Sequence, residues 1–208
     1  FAAEIAGASM VEIGMPFSDP LADGPIIQNC SQLALKNGVT TSWILKIVSE
    51  IRKKSEIPIA LMGYINPILK YGVDKFLIDC KSSGVDALII PDLPIEEGHG
   101  LISKAKDLEI SPILLVAPNT SNKRIEKISN LAGDLIYCVA ILGVTGSASS
   151  SKKELMEYLD RVKNHSSCSF IVGFGVKSRR DVLDINSIAD NTGTYYIPKG
   201  HFFVMGDN

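Results

Sequence analysis

Short apolar runs recur along the chain at Ser9–Gly14, Ile57–Tyr64, Ala87–Pro91, Ser111–Ala117, Leu135–Ile141 and Ser169–Gly173. Segments of helical pattern lie between them: Gln32–Lys54, Asp74–Ser83, Glu96–Leu108, Asn122–Leu131 and Lys152–Asn164. In the first of these the helix is expected after Gly38, with Trp43, Ile44, Ile47, Val48 and Ile51 on one stripe. Phe1–Ala6 reads as the last turns of a helix, and Ser178–Ala189 as a further one. Strands and helices in strict alternation predict a parallel sheet with crossover helices, either doubly wound or closed as a barrel.

The polar residues at the strand ends help to choose. Glu12, Tyr64, Asp92, Asn119, Gly143–Gly146 and Gly173–Gly175 all fall at or just beyond the C-terminal ends of their strands. Functional groups spread over many strand ends favour a barrel's catalytic face over a single crevice. Leu142-Gly143-Val144-Thr145-Gly146 and Val172-Gly173-Phe174-Gly175 follow successive strands. Glycines there let backbone N–H groups approach an anion, and two such turns in adjacent late units suggest a phosphate cradle. Each alone is equally a plain tight turn.

The stretch Val11–Gln28 carries the chemistry. In a strand over Ser9–Gly14, period-2 alternation puts Glu12 among apolar neighbours. A carboxylate there is expensive to ionise, so its pKa should rise towards neutrality, as a general acid/base requires. Asp23 lies in the following loop, stiffened by Pro16, Pro20, Gly24 and Pro25. The bland alternative is a buried Glu satisfied by backbone donors and an Asp that caps the next helix.

A chain of 208 residues, 46% hydrophobic and 21% charged, suits one globular domain with a sizeable core. A net charge of −2 leaves no nucleic-acid footprint, and no apolar run has the length of a membrane span. Phe1 followed by Ala-Ala-Glu-Ile lacks the basic start of a signal peptide and suggests that the true beginning lies upstream. Cys30, Cys80, Cys138 and Cys168 are scattered, with neither a CxxC pair nor a nearby His, so reduced thiols in a cytoplasmic protein are expected and no metal site. His99, His165 and His201 read as surface residues, and Arg52-Lys53-Lys54 as the charged end of a helix.

The run Glu-Ile-Gly-Met-Pro-Phe-Ser-Asp-Pro-Leu-Ala-Asp-Gly-Pro-Ile-Ile-Gln closely resembles the signature of the tryptophan synthase alpha subunit family, and the resemblance covers about residues 2–190. It implies a (β/α)₈ TIM barrel that cleaves indole-3-glycerol phosphate by a retro-aldol step to indole and glyceraldehyde 3-phosphate. It also implies no cofactor, and a tryptophan synthase beta subunit as the partner that receives the indole. Carried over residue by residue, Glu12 is the acid/base group at the indole carbon, and Asp23 the carboxylate at the indole N–H. Tyr64 and Tyr137 line the indole pocket, although each could also be a core aromatic. Asp92 is a supporting carboxylate, and Asp19 belongs to the loop that meets the beta subunit. Thr145 and Gly146 belong to the closing loop, with Thr145 reaching Asp23. Gly146, Phe174 and Gly175 supply phosphate-binding backbone groups.

The chain also departs from the family. Ala140-Ile141-Leu142 stands where a Ser-Arg pair usually precedes Gly-Val-Thr-Gly, and neither the first strand nor the eighth-strand Gly-Ser turn is found. The expected fold is therefore an incomplete barrel with about six of eight strands, in which Ser9–Gly14 and Ser169–Gly173 are open edges. Residues 1–190 form this partial TIM-barrel domain, and 191–208 an unrelated tail resembling the Gly-Asp-Asn segment of type I signal peptidase. Two alternatives to an alpha-type lyase remain open at the level of sequence. One is a free-standing indole-3-glycerol phosphate lyase; the other is a truncated or chimeric, non-catalytic fragment that at most docks on a beta subunit.

Overall fold

The computed structural model describes residues 1–139 and 148–173, with 148–152 as backbone only. The helix expected over Ser178–Ala189 and the tail 191–208 lie outside the described residues. The chain divides into two units, Phe1–Ile113 and Leu114–Asn208.

The first unit contains α1 (Ala2–Ile5), β1 (Val11–Gly14), α2 (Pro25–Lys36), α3 (Thr41–Arg52), β2 (Ile59–Met62), α4 (Ile65–Tyr71), α5 (Val73–Ser83), β3 (Ala87–Ile89), α6 (Ile95–Asp107) and β4 (Ser111–Pro112). Its four strands form a parallel sheet in sequence order, with Glu12 opposite Ala60, Leu61 opposite Leu88, and Ala87 opposite Ser111. Every residue of β2 and β3 is buried, as expected of central strands in a parallel sheet covered by helices. Val48 from α3, Ile59 and Leu61 from β2, Ile68 from α4, Phe76, Leu77 and Cys80 from α5 and Ala105 from α6 make one core.

Local chemistry explains the helix limits. Thr40 caps α3, its Oγ1 accepting the Trp43 N–H at 3.2 Å. Gly84 closes α5 in the left-handed conformation, φ 88°, and a β-carbon there would lie 2.6 Å from Arg52 Cγ. The position thus needs glycine for both conformation and space.

The second unit has β5 (Leu114–Val116), α7 (Asn122–Leu131), β6 (Leu135–Val139), α8 (Ala148–His165) and β7 (Ser169–Gly173). Its sheet is also parallel, in the order β5-β6-β7. Val116, Ile125, Ile136, Tyr137, Leu159 and Val162 are fully buried or nearly so. Tyr158 adds a bond from α8 to the end of β5, its hydroxyl donating to Val116 O at 2.6 Å.

These findings refine the sequence reading. The run Ser111–Ala117 is divided into β4, which pairs with β3, and β5, which pairs with β6. Pro112, which has no N–H to donate, stands next to the break. Among the described residues β1, β4, β5 and β7 each have one strand neighbour. Trp43 is exposed, because α3 turns Ile44, Leu45 and Val48 inward instead. His165 is half-buried and pairs with Glu126 at 2.8 Å, where a lone surface residue was expected. The four thiols are free, with Cys80 and Cys138 buried.

Candidate active site

Glu12 stands in the middle of β1, with its neighbour strand on one side and the Pro16–Gly24 loop following it in sequence. Its Oε2 is buried and has no hydrogen-bond partner among the described residues. Burial, and then the nearby charge of Asp23, push its pKa up from 4.5 to about 7. The alternative in which backbone donors satisfy a buried Glu12 therefore fails for that oxygen.

Asp23 is not the N-cap residue of the next helix. The N-cap of α2 is Gly24, with Pro25 at the first helical position and no side-chain capping bond. The Asp23 backbone is instead built into the loop, its N–H donating to Pro20 O at 3.1 Å and its carbonyl accepting from Gln28 Nε2 at 2.8 Å.

Tyr64 follows β2 and is only 4% exposed. Its hydroxyl accepts the Ala22 N–H at 2.9 Å. Burial raises its pKa to about 12, and a hydrogen bond with the Asp23 carboxylate contributes to that rise. Tyr64 thus joins the loop at two adjacent residues and remains a proton donor at any physiological pH. Phe17 packs its ring against Tyr64, with centroids 5.4 Å apart. Asp92, after β3, accepts the Ile65 N–H at 2.9 Å through Oδ1 and so fixes the first turn of α4 beside Tyr64. Met15 crowds Gly63, where a β-carbon would collide with the Met15 methyl group. Gly63 therefore permits the close approach of two strand ends.

The first unit thus brings together Glu12, Asp23, Tyr64 and Asp92, four of the residues singled out from sequence. Asp19 lies on the same loop but is exposed, and Ser18 Oγ donates to it at 2.5 Å. In the second unit Tyr137 is fully buried on β6, and Gly173 on β7 leaves the space its hydroxyl occupies. Thr145, Gly146, Phe174 and Gly175 lie outside the described residues. Sequence reasoning missed Phe17, Gln28 and Ser31, which act through α2 or through a ring contact. Among the described residues, no cluster of three or more His, Cys, Asp or Glu has the arrangement to hold a metal ion.

A buried acid whose pKa is raised to about 7, a second carboxylate near it and a tyrosine hydroxyl on a parallel α/β scaffold are the groups that general acid–base chemistry uses. The model of the family "Tryptophan synthase alpha chain" matches residues 2–193. The tryptophan synthase alpha chain of Petrotoga mobilis is 47% identical over 172 residues, which make up 83% of this chain and 67% of that protein. That of Pelodictyon phaeoclathratiforme is 42% identical over 198 residues, covering 91% and 74% respectively. The fold is similar to that of a chain in the Pyrococcus furiosus tryptophan synthase α2β2 complex, with a TM-score of 0.82 at 37% identity, covering 90% of this chain and 75% of that one. The Legionella pneumophila alpha subunit is likewise similar, with a TM-score of 0.81 at 33% identity, covering 89% and 69%. The chain belongs to the tryptophan synthase alpha chain family, whose fold is the TIM barrel.

Proposed function

We propose that this chain cleaves indole-3-glycerol phosphate by a retro-aldol step, with Glu12 as the proton carrier and Asp23 as its electrostatic partner. The family is one of carbon–carbon lyases in tryptophan biosynthesis. The supporting observation is the buried, unpartnered Oε2 of Glu12, whose pKa of about 7 keeps both protonation states populated near neutrality.

Protonated Glu12 delivers its proton to the ring carbon that bears the glycerol side chain. Positive charge then develops on the indole nitrogen, where the Asp23 carboxylate stabilises it. The Glu12 carboxylate takes the proton of the adjacent side-chain hydroxyl as the carbon–carbon bond breaks, and the bonding electrons return to the ring. Indole and glyceraldehyde 3-phosphate leave, and Glu12 is again protonated. Tyr64 orients Asp23, and Asp92 holds the turn that carries Tyr64. The family resemblance further assigns Tyr137 to indole binding, Thr145 and Gly146 to the closing loop, and Gly146, Phe174 and Gly175 to phosphate binding.

The partner is a tryptophan synthase beta subunit, which takes up the indole. The solved relatives include an α2β2 complex. Asp19 with its neighbour Leu21, 93% exposed, offers a charged and apolar surface for that contact. No described helix is long and apolar enough to cross a membrane. Free buried thiols favour a reducing compartment, and we assign the chain to the cytoplasm.

The test is Glu12→Gln. Substrate still binds, whereas indole release falls by at least about 10²–10⁴. Wild-type-like turnover by the Gln variant would overturn the assignment.

A further inference from the structure

Helix α2 buries none of its residues, so packing does not explain why it holds its position. Two polar side chains, three residues apart on that helix, reach back to the loop instead. Ser31 Oγ accepts the Phe17 N–H at 2.8 Å and donates to Phe17 O at 2.9 Å, so one hydroxyl engages both backbone groups of a single residue. Gln28 Nε2 donates to Asp23 O at 2.8 Å. A spacing of three places both on one face of the helix.

The contacts fall at the two ends of the segment that matters. Phe17 opens it and lays its ring on Tyr64; Asp23 closes it and meets the Tyr64 hydroxyl. Between them Ala22 donates its N–H to that same hydroxyl. We propose that Ser31 and Gln28 are positioning residues, a two-point clamp through which α2 sets the placement of the Asp23 carboxylate against Tyr64 and Glu12. The inference rests on Asp23 belonging to the reacting site. Neither clamp residue touches the reacting atoms. Each fixes the loop through its backbone, and a misplacement of about 1 Å at a charge-stabilising group costs up to about 10²-fold in rate.

The test compares Ser31→Ala, Gln28→Met and the double variant with Ser31→Thr, which keeps the hydroxyl. Two quantities are read on the full chain: the kinetics of indole release, and hydrogen exchange of the Ala22 amide. Each single loss should lower kcat by about tenfold, the equivalent of one net hydrogen bond, with KM changing less than about threefold. The double variant should fall by about 10²-fold, and Ala22 exchange should quicken in step. Ser31→Thr should stay near wild type in both. An unchanged kcat, a kcat loss without faster Ala22 exchange, or a failure of Thr to restore either would overturn the clamp. Glu12→Gln and Asp23→Asn run alongside. If both turn over normally, the site assignment itself is wrong and the clamp falls with it; if both are inactive while the α2 variants are normal, only the clamp is wrong.

Discussion

The two ends of the β1–β3 sheet treat their polar groups in opposite ways. At the N-terminal ends, Arg52 from the last turn of α3 donates to Gly84 O at 2.8 Å and to Ile57 O at 2.5 Å, and pairs with Asp86. The Asp86 carboxylate also accepts the Ile59 N–H at 2.7 Å, and Asp86 N–H donates back to Ile59 O. Buried Ser55 accepts the Ile57 N–H and donates to Glu4 at 2.8 Å, tying α1 to the same end. Towards the other end, Tyr64 and Asp92 lie beyond β2 and β3, and Glu12, inside β1 where the sequence suggests a strand end, keeps a buried oxygen without a partner among the described residues, near the charge of Asp23. Charges at one end are matched by partners, whereas Glu12 and Asp23 repel each other, the arrangement that the proposed proton transfer would use. The division agrees with the roles of the two faces in barrel enzymes.

Opposite substitutions should break this contrast in opposite directions. Arg52→Met removes charge-assisted bonds to the Asp86 carboxylate and to three backbone carbonyls, those of Ser55, Ile57 and Gly84. Unfolding in urea should show a loss of about 3 kcal/mol or more, with turnover per folded molecule unchanged. Glu12→Gln should do the reverse, destroying turnover and raising stability. Its sign follows from linkage. Burial and Asp23 penalise only the ionised form, so this cost is absent below the unfolded pKa of 4.5, grows between 4.5 and about 7, and is constant above. Glu12→Gln should therefore be isostable with wild type at pH 4 and more stable by about 3 kcal/mol at pH 8, as read from denaturation midpoints at the two pH values.

Gly173→Ala is the next in size. A β-carbon there would collide with the Tyr137 hydroxyl across the β6–β7 pair, so Tyr137 must move or the strands must part. A destabilisation of about 1–3 kcal/mol is expected. Pairing the variant with Tyr137→Phe, which removes the colliding oxygen, should recover part of it in a double-mutant cycle. Tyr64→Phe should have the smallest effect, about a tenfold fall in kcat with the fold intact. The ring contact with Phe17 survives and only the bonds to Ala22 and Asp23 are lost.

The strands were legible because a parallel sheet covered on both faces needs continuous apolar runs, and β1, β2, β3, β6 and β7 each lie inside one of them. Glu12 was legible for the same reason, a carboxylate interrupting such a run. The helices that do not bury a stripe were not legible. α2 exposes most of its apolar residues, and α4 is seven residues long with Pro67 inside it. A helix after the loop was foreseen only as something for Asp23 to cap, and α4 not at all, so nothing pointed to Ser31 and Gln28 meeting the Pro16–Gly24 loop or to Asp92 bonding the Ile65 amide. Trp43 misled the reading of α3, since an apolar residue at the border of a stripe can face outward.

The titration of Glu12 itself decides between a charge held in conflict and an ordinary surface carboxylate. Carbon-13 NMR of the side-chain carboxyl in the folded chain, followed from pH 3 to pH 9, should give a midpoint of about 7, moving down when Asp23 is replaced by Asn and its charge is removed. A midpoint near 4.5 that ignores Asp23→Asn would contradict the account, because Glu12 would then be solvated, fully ionised at neutral pH and unable to carry the proton.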